Sequence, residues 1–230
     1  MKKKCLVMAM AVLFFTSVVP AFSQNNASAI QNGNILLNAG FGLGRFGFPF
    51  TFFDTSYGTE VGFNNALLFG ISVSVDYALP IAFPLTIGLE AGYMAGAAET
   101  ISDTANLNPF FSGTIIMLRA AWHPDLFNVS NLNTYLLFKF GYAFGTMDDP
   151  YLGTEMVVGT EPAGIGVGLG IGVRYFFGKR FGILAELGYE RFFANFSGEA
   201  WWKSNPGNKK AFDGKIDLEK YITIGLTWKF

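Results

Sequence analysis

The sequence predicts an all-β protein: a transmembrane, up-and-down antiparallel β-barrel of eight strands that follows a cleaved signal peptide. Of its 230 residues, 51% are hydrophobic and only 14% are charged, whereas soluble surfaces usually carry about 25 to 35% charged residues. After the N-terminal segment, no stretch approaches the roughly 20 unbroken apolar residues that a membrane helix needs. Eight segments instead alternate apolar residues with small or polar ones, which is the pattern of strands that face lipid on one side.

The N-terminal segment has the three parts of a secretory signal peptide. Residues 2–4 are lysines, residues 5–19 are almost all apolar, and residues 21–23 read Ala-Phe-Ser, a small-x-small cleavage site. We therefore expect residues 1–23 to be the signal peptide and the mature chain to begin at Gln24. A second possible site, Ala27-Ser28-Ala29, would remove six further residues.

The mature chain is expected to have an N-terminal extension over residues 24–32 and a barrel domain over residues 33–230. Cleavage removes the only cysteine, Cys5, so we expect neither a disulfide nor a thiolate metal site. It also removes three lysines, which leaves 13 basic against 17 acidic residues and a formal charge of about −4. This balance gives no indication of a nucleic-acid partner.

Alternation of period two predicts the first four strands. Residues 33–46 alternate apolar side chains with asparagine and glycine, and residues 66–79 alternate them with serine, glycine and aspartate. Residues 85–97 set leucine, isoleucine, alanine and tyrosine against threonine, glycine and glutamate. The fourth segment, 111–122, is weaker; we place Leu118 outward and Arg119 inward.

The last four strands show the same alternation more strongly. Residues 134–145 have a mostly aromatic outer face, and residues 164–177 are the clearest segment, because glycine occupies every second position at its start. The tight turn Gly178-Lys179 leads into residues 181–195. The final strand begins at about Lys220, with Tyr221 and every second residue after it facing inward.

Connections and aromatic residues give the predicted barrel an orientation. The long connections follow strands one, three, five and seven, as expected of external loops, and the shorter ones fit periplasmic turns. The four predicted loops are about 47–65, 98–110, 146–162 and 196–215. Two aromatic girdles are expected at the membrane interfaces. The periplasmic girdle would comprise Tyr77, Trp122, Tyr135, Tyr175, Phe177, Phe181, Trp228 and Phe230, and the external girdle Phe46, Phe69, Tyr93, Tyr142, Phe144 and Phe193.

A soluble sandwich or lipocalin-like barrel would use the same alternation with its apolar face inside. The other face would then be the surface, and here it consists mostly of glycine with few charges. The sequence therefore favours the membrane interpretation.

The C-terminal run from Tyr221 to Phe230, together with the signal peptide and the alternating segments, resembles the small outer-membrane barrels of the OmpX, OmpW and OmpA-membrane-domain type. The resemblance implies insertion into outer-membrane lipid of a diderm bacterium. It also implies that Trp228 and Phe230 belong to an insertion signal that the barrel-assembly machinery recognises. Phe230 also fits a simple role as a girdle aromatic.

Seven charged residues are expected on the inner face: Asp76, Glu90, Arg119, Lys139, Arg174, Glu186 and Glu190. The interior of an eight-stranded barrel is narrow, and unpaired charges there are costly, so they are expected to form a salt-bridged filling. The alternative is a polar path for small solutes, favoured by the inward glycines of the sixth segment. Those glycines are equally compatible with large neighbouring side chains that occupy the space.

Aromatic residues are dense in two of the predicted loops. Phe48, Phe50, Phe52 and Phe53 lie in the first loop, and Trp201 and Trp202 in the fourth. They either line an entrance for an apolar small molecule, as the resemblance to OmpW-type barrels implies, or pack on loops above an extended first strand. We favour the second interpretation.

These features lead to two hypotheses of function. The first is a structural or surface-interaction barrel that presents four long loops to a host or envelope partner. The second is a narrow channel for small solutes or apolar compounds. We expect no enzyme, cofactor or metal site: His123, the only histidine, lies in a predicted periplasmic turn. Glu186 and Glu190 are four residues apart on one strand, so both side chains point into a crowded lumen, where structural pairing is expected rather than acid/base catalysis.

Overall fold

The structure is a computed structural model that describes residues 29–47, 50–51, 60–61, 66–97, 110–124, 129, 131–148, 156–202 and 205–230. The predicted signal peptide lies outside these residues, and so do residues 24–28 of the predicted extension. Phe48, Phe52 and Phe53 of the predicted first loop also lie outside them. Within the described ranges, no helix has the length and apolarity needed to cross a membrane.

Eight long strands form a closed antiparallel barrel. Each pairs with the next long strand along the chain, and the last pairs with the first. This confirms the predicted up-and-down topology. The long strands are β1 (Ile35–Gly47), β4 (Ala66–Ala78), β5 (Leu85–Ala97), β6 (Phe110–Trp122), β7 (Leu132–Asp148), β9 (Ala163–Phe176), β10 (Phe181–Trp202) and β11 (Asn205–Lys229); three short ones are β2 (Phe50–Thr51), β3 (Glu60–Val61) and β8 (Met156–Thr160).

The apolar face of the strands points away from the barrel axis. Leu169 on β9 is 67% exposed, whereas Arg174 on the same strand is fully buried. On β6, Leu118 is exposed and Arg119 is buried, which confirms the register predicted for the fourth strand. A protein with this surface needs lipid around it. A strand crosses the membrane with about 9 to 11 residues, and every second one would otherwise place an apolar side chain in water.

The predicted loop 196–215 is wrong. β10 and β11 continue through it as a hairpin, with pairing up to Trp202 and Asn205, and β8 adds a third strand along residues 198–202. Trp201 and Trp202 therefore lie in a strand rather than a loop. Phe50 lies in β2, which pairs with β3 and with Gly214. The segment 205–217 is rich in charge and glycine. It lacks the apolar alternation from which the other strands were predicted.

A β-bulge interrupts the alternation of β11. Relative to β1, the pairing passes from Leu43 with Ile222 directly to Gly44 with Lys220, so Tyr221 is an extra residue. An extra residue reverses which face the following side chains occupy. Lys220 consequently points inward, and Tyr221 and Glu219 point outward, so the predicted inward position of Tyr221 is wrong.

The predicted aromatic girdles have exposed, outward side chains at both ends of the barrel, for example Phe181 and Phe193, with one correction; the side chain of Phe46 lies outside those described. At the end with the short turns, which we assign to the periplasm, the ring centroids of Phe181 and Trp228 lie 5.3 Å apart, and those of Phe83 and Trp122 are stacked at 5.6 Å. Tyr135, however, is buried inside the barrel. It precedes the outward Leu136, so strand alternation requires it to face the lumen.

The described part of the N-terminal extension packs on the periplasmic end. Ala29 and Leu36 form a small core with Phe176, and the Lys229 Nζ donates to the carbonyl oxygen of Ala29 at 2.6 Å. Gly33 has a φ of 85°, a conformation that favours glycine, and its N–H donates to the carbonyl of Ala78 at 2.8 Å. This segment therefore partly covers the periplasmic mouth.

Candidate functional site in the barrel interior

Charged side chains from seven strands meet in one layer across the lumen. Each is buried, with at most 7% of its surface exposed. All seven residues expected on the inner face are in this ion layer, and Lys220 joins them. Four acidic and four basic residues make the ion layer formally neutral: Asp76, Glu90, Glu186 and Glu190 with Arg119, Lys139, Arg174 and Lys220.

Arg119 is the centre of the ion layer. Its Nη1 lies 2.5 Å from Glu90 Oε2, and its Nη2 lies 2.6 Å from Glu186 Oε1. Its Nε lies 3.2 Å from Asp76 Oδ1. One guanidinium on β6 thus joins carboxylates from β4, β5 and β10, which ties together strands from both sides of the barrel.

Two lysines complete the ion layer on the side of β7 and β11. Lys139 Nζ lies 2.7 Å from Glu90, 3.3 Å from Glu186 and 2.6 Å from Glu190. Lys220 Nζ lies 3.1 Å from Glu90 and 2.9 Å from Glu190. Each of these carboxylates therefore contacts at least two cations, as burial of a charge in a poorly hydrated interior requires.

Tyr135 and Arg174 extend the ion layer toward the periplasm. Arg174 Nη2 donates to Asp76 Oδ2 at 2.9 Å, and its guanidinium lies 4.2 Å from the centre of the Tyr135 ring. The Tyr135 hydroxyl donates to Glu186 Oε1 at 2.9 Å. The ring occupies space that Gly172 leaves free, because a Cβ there would lie 2.1 Å from Tyr135 Cζ.

His123 ends this polar column at the periplasmic mouth. Thr86 Oγ1 lies 2.9 Å from His123 Nε2, and Asn133 Oδ1 lies 3.0 Å from Nδ1. Burial, together with the nearby Arg174, lowers the pKa of His123 to about 3. The imidazole is therefore neutral, with Nδ1 as the donor to Asn133 and Thr86 as the donor to Nε2. The sequence placed His123 in a turn but did not predict this burial.

The external half of the interior is apolar. It consists of large side chains that face inward and are at most 1% exposed: Leu68, Met94, Phe111, Ile115, Phe192 and Leu218. Phe192 covers Gly166, where a Cβ would lie 2.4 Å from its ring. Gly166 and Gly172 of β9 thus accommodate large neighbouring side chains, which was one of the two interpretations open from the sequence.

Sequence reasoning missed Lys220 because strict alternation back from Phe230 points it outward. Charge balance gave little signal, because Lys229, which the predicted alternation also places inward, would offset the fourth carboxylate. In the structure Lys229 donates to the carbonyl of Ala29 at the periplasmic mouth instead, so the ion layer needs a further cation, since a lone buried charge is strongly disfavoured. Among the lysines and arginines of β11, the bulge supplies it at Lys220.

The C-terminal residues predicted as an insertion signal lie outside the lumen. Phe230 is 64% exposed on the outer face, and its backbone exchanges hydrogen bonds with Ile35 in both directions, at 2.9 and 3.1 Å. The end of the chain is thereby fixed to the first strand. For Phe50, Trp201 and Trp202 only the backbone is described, so the interpretation of an aromatic entrance lies outside the described side chains.

Comparison with known proteins gives one family and several similar folds. The profile of the family described as outer membrane protein beta-barrel domain matches residues 14–230. No curated protein sequence matches the chain. The outer membrane protein OprG from Pseudomonas aeruginosa has a TM-score of 0.57 at 13% identity, covering 90% of this chain and 99% of that chain.

Two further solved structures have the same fold. A major outer membrane protein from Thermus thermophilus gives a TM-score of 0.56 at 16% identity, covering 87% of this chain and 100% of its own. The outer membrane protease OmpT from Escherichia coli gives 0.51 at 11% identity, covering 86% and 97%. At such low identity the likeness establishes the fold alone, and the activity of a barrel depends on its individual side chains.

Proposed function

Because the chain belongs to the outer membrane protein beta-barrel domain family and lies in the outer membrane of a diderm bacterium, we propose that it is a closed barrel with a structural or surface-interaction role. The family match and the fold confirm the predicted resemblance and location. The role itself is argued from the interior and from the external side of the barrel.

The filled, neutral interior is the observation that carries the proposal. A water-filled pore hydrates the charges on its wall, whereas the charges here contact one another at 2.5 to 3.3 Å. Above the ion layer, Phe111 and Phe192 fill the lumen with apolar bulk. Such an interior supports a rigid cylinder better than a passage for ions.

The external end supports the surface-interaction part of the proposal. The hairpin of β10 and β11 extends past the other strands, and β8 widens it to three strands. Paired strands hold a surface in a fixed shape, which favours recognition of a host or envelope partner. We propose this three-stranded extension, together with the loops, as the docking side.

The same ion pairs argue against catalysis in the lumen. A general base needs a carboxylate or imidazole that reaches a substrate, and Glu186 and Glu190 are each held by two cations. His123 is held by Thr86 and Asn133. We therefore propose no enzymatic role for these residues, although the shared fold includes a protease.

The apolar external half of the lumen favours one second candidate, the passage of small apolar compounds. Such a compound would have to displace Phe111 and Phe192 and then bypass the ion layer. Uptake of an apolar dye by cells that express the protein tests it. Uptake through the lumen predicts a rate above that of cells with empty vector and a further increase when Phe111 and Phe192 are both changed to alanine.

We also propose that Trp228 and Phe230 form an insertion signal that the barrel-assembly machinery recognises. Both lie on the lipid-facing surface, where a periplasmic factor can reach them before insertion. Cleavage after residue 23 likewise stays a prediction.

Conductance of the purified protein in planar bilayers, with liposome swelling for small sugars, tests the closed-barrel proposal. We expect neither channel conductance nor liposome swelling from the wild type. Leu169→Ala, which shortens a side chain on the lipid face, is the control and should behave in the same way. Reproducible wild-type channels whose conductance changes in Arg119→Gln or Arg174→Gln would overturn the proposal.

A further inference from the structure

The first described residues of the chain cross the periplasmic mouth of the barrel. Residues 29–34 lead directly into β1, and we call them the strap. We propose that the strap joins the first and last strands across the barrel seam, with Lys229 as its latch, and that signal peptidase therefore cleaves upstream of Ala29. The strap lies at the rim, outside the ion layer, so this proposal does not depend on the closed-barrel proposal.

A tight turn directs the strap back toward the mouth. The N–H of Asn34 donates to the carbonyl oxygen of Gln31 at 3.1 Å, and the Oδ1 of Asn34 accepts from the N–H of Gln31 at 2.8 Å. Gly33, with a φ of 85°, is the third residue of this turn, a position at which a positive φ favours glycine. The sequence Gln31-Asn32-Gly33-Asn34 thus sets the direction in which residues 29 and 30 run.

The strap is tied to strands on both sides of the seam between β1 and β11. On the side of β4, the N–H of Gly33 donates to the carbonyl oxygen of Ala78 at 2.8 Å, and the N–H of Ala78 donates to the carbonyl oxygen of Asn34 at 2.9 Å. On the side of β11, the Nδ2 of Asn34 donates to the carbonyl oxygen of Phe230 at 3.4 Å. The strap therefore holds the end of the last strand while it continues the pairing of β1 with β4.

Ala29, at the far end of the strap, is fixed inside the mouth. It is 4% exposed and packs with Leu36 and Phe176, which are buried at the periplasmic ends of β1 and β9. The Lys229 Nζ donates to the carbonyl oxygen of Ala29 at 2.6 Å and lies 4.6 Å from the centre of the Phe176 ring. The first residues of a domain are usually poorly ordered unless they are tied down. Here burial and a charge-assisted hydrogen bond tie them down.

The latch distinguishes the two candidate cleavage sites. Cleavage after Ser23 keeps Ala29 and its carbonyl oxygen. Cleavage at the second site, residues 27–29, would remove both and leave an α-ammonium group on Ile30, whose nitrogen is bonded to that carbonyl carbon in the precursor. The new ammonium would lie beside the ammonium of Lys229, so repulsion between like charges would replace an attractive contact. The contacts of the strap therefore favour a mature chain that keeps Ala29.

The intact mass of the exported protein tests the processing. The full precursor is expressed in a diderm host, and the mature protein is purified from the outer membrane. We expect the mass of a chain that begins at Gln24 and so includes Ala29. The mass of a chain that begins at Ile30 would overturn the proposal.

Unfolding in urea tests the latch, with the barrel folded in lipid vesicles and tryptophan fluorescence as the signal. A chain that begins at Ile30 should have an unfolding equilibrium constant about tenfold larger than a matched control that begins at Ser28, because a hydrogen bond to a charged group contributes about that factor. Lys229→Met should have a similar effect, and Lys229→Arg should have a smaller one, because a guanidinium also donates to a carbonyl. Lys179→Met, in an exposed periplasmic turn, controls for the loss of a lysine as such.

Combining the two changes shows whether Lys229 acts through Ala29. In the chain that begins at Ile30, Lys229→Met should cause little further loss of stability, whereas two independent contributions would add. If the shortened chain does not fold, Lys229→Met and Lys229→Arg in the chain that begins at Gln24 test the latch by themselves. Three results would overturn the proposal: equal stability of the chains that begin at Ser28 and Ile30, full additivity of the two changes, or a Lys229→Met variant as stable as the wild type.

Discussion

Replacing Lys220 by methionine removes one cation from the ion layer while keeping a side chain of similar length. The lumen then holds four carboxylates and three cations. Lys220 contacts Glu90 at 3.1 Å and Glu190 at 2.9 Å, and loss of one partner from a buried ion pair typically costs about 3 to 5 kcal/mol. In this variant Glu90 still contacts Arg119, and Glu190 still contacts Lys139. We therefore expect a loss of unfolding free energy at the lower end of that range, about 3 kcal/mol.

A second substitution makes this test specific to charge balance. Glu190→Gln in the Lys220→Met background restores equal numbers of acidic and basic groups, so we expect it to recover about 1 to 2 kcal/mol. Lys179→Met, in an exposed turn, controls for the loss of a lysine as such. The free energy of unfolding is measured in urea, with the barrel in lipid vesicles and tryptophan fluorescence as the signal.

Two outcomes would refute the reasoning. One is a loss below about 1 kcal/mol for Lys220→Met, the value of an exposed ion pair. The other is a double variant that is less stable than Lys220→Met alone, which would mean that Glu190 contributes through something other than its charge.

Three further predictions concern the interior and the C-terminus. Gly172→Ala should lower the free energy of unfolding in urea by about 1 to 3 kcal/mol, because its Cβ would lie 2.1 Å from Tyr135 Cζ. The control Gly70→Ala, whose Cβ would lie 3.3 Å from a methionine side chain, should change the free energy of unfolding little. Equal losses of stability in the two variants would contradict the packing argument. The folded pKa of His123, about 3, is below its unfolded value of about 6.5, so the unfolded chain takes up the proton first and stability falls as the pH drops from about 6.5 toward 3. The difference in unfolding free energy between wild type and His123→Gln should shrink over that range, and a pH-independent difference would show that the imidazole is not buried as a neutral group. Phe230→Ala should slow folding by reconstituted barrel-assembly machinery more than spontaneous folding into vesicles, followed by gel mobility; equal slowing would reduce Phe230 to a girdle aromatic.

The sequence was sufficient for the barrel because its main signal is repeated in each strand. In β9, outward Leu169 and inward Arg174 follow from period two alone. The bounds of β5, residues 85–97, were predicted to the residue, since turn residues flank a regular alternation. Features that depend on one inserted residue were not predictable in this way.

The errors have specific physical causes. The bulge at Tyr221 leaves no compositional trace, because the pairing of three strands determines it. Residues 205–217 belong to β11, but their sequence is rich in charge and glycine and shows no apolar alternation, so this part of the hairpin was predicted as loop. Tyr135 was assigned to the girdle by residue type, although the alternation of its own strand already placed it inside.

The candidate site was partly readable for a similar reason. Inward charges are rare enough in this chain to stand out, which identified seven of the eight members of the ion layer. Their partners across the lumen depend on distances between non-adjacent strands, as between Arg119 on β6 and Glu186 on β10. Only the three-dimensional structure supplies those distances.

Accessibility of engineered cysteines tests most directly whether the lumen is closed to water. Ala143 lies on the inner face in the external half, and Ala121 on the inner face in the periplasmic half; both are buried, and cysteine is close to alanine in size. The reaction rate with a charged thiol reagent is compared with that of Lys179→Cys in the exposed turn. The reagent is applied at millimolar concentration to either side of the membrane. If the lumen is closed, Ala143→Cys and Ala121→Cys should react at least about a hundredfold more slowly than Lys179→Cys, because the reactive thiolate is disfavoured in a dry site. Rates at both positions close to that of Lys179→Cys would contradict the account and show a continuous aqueous path.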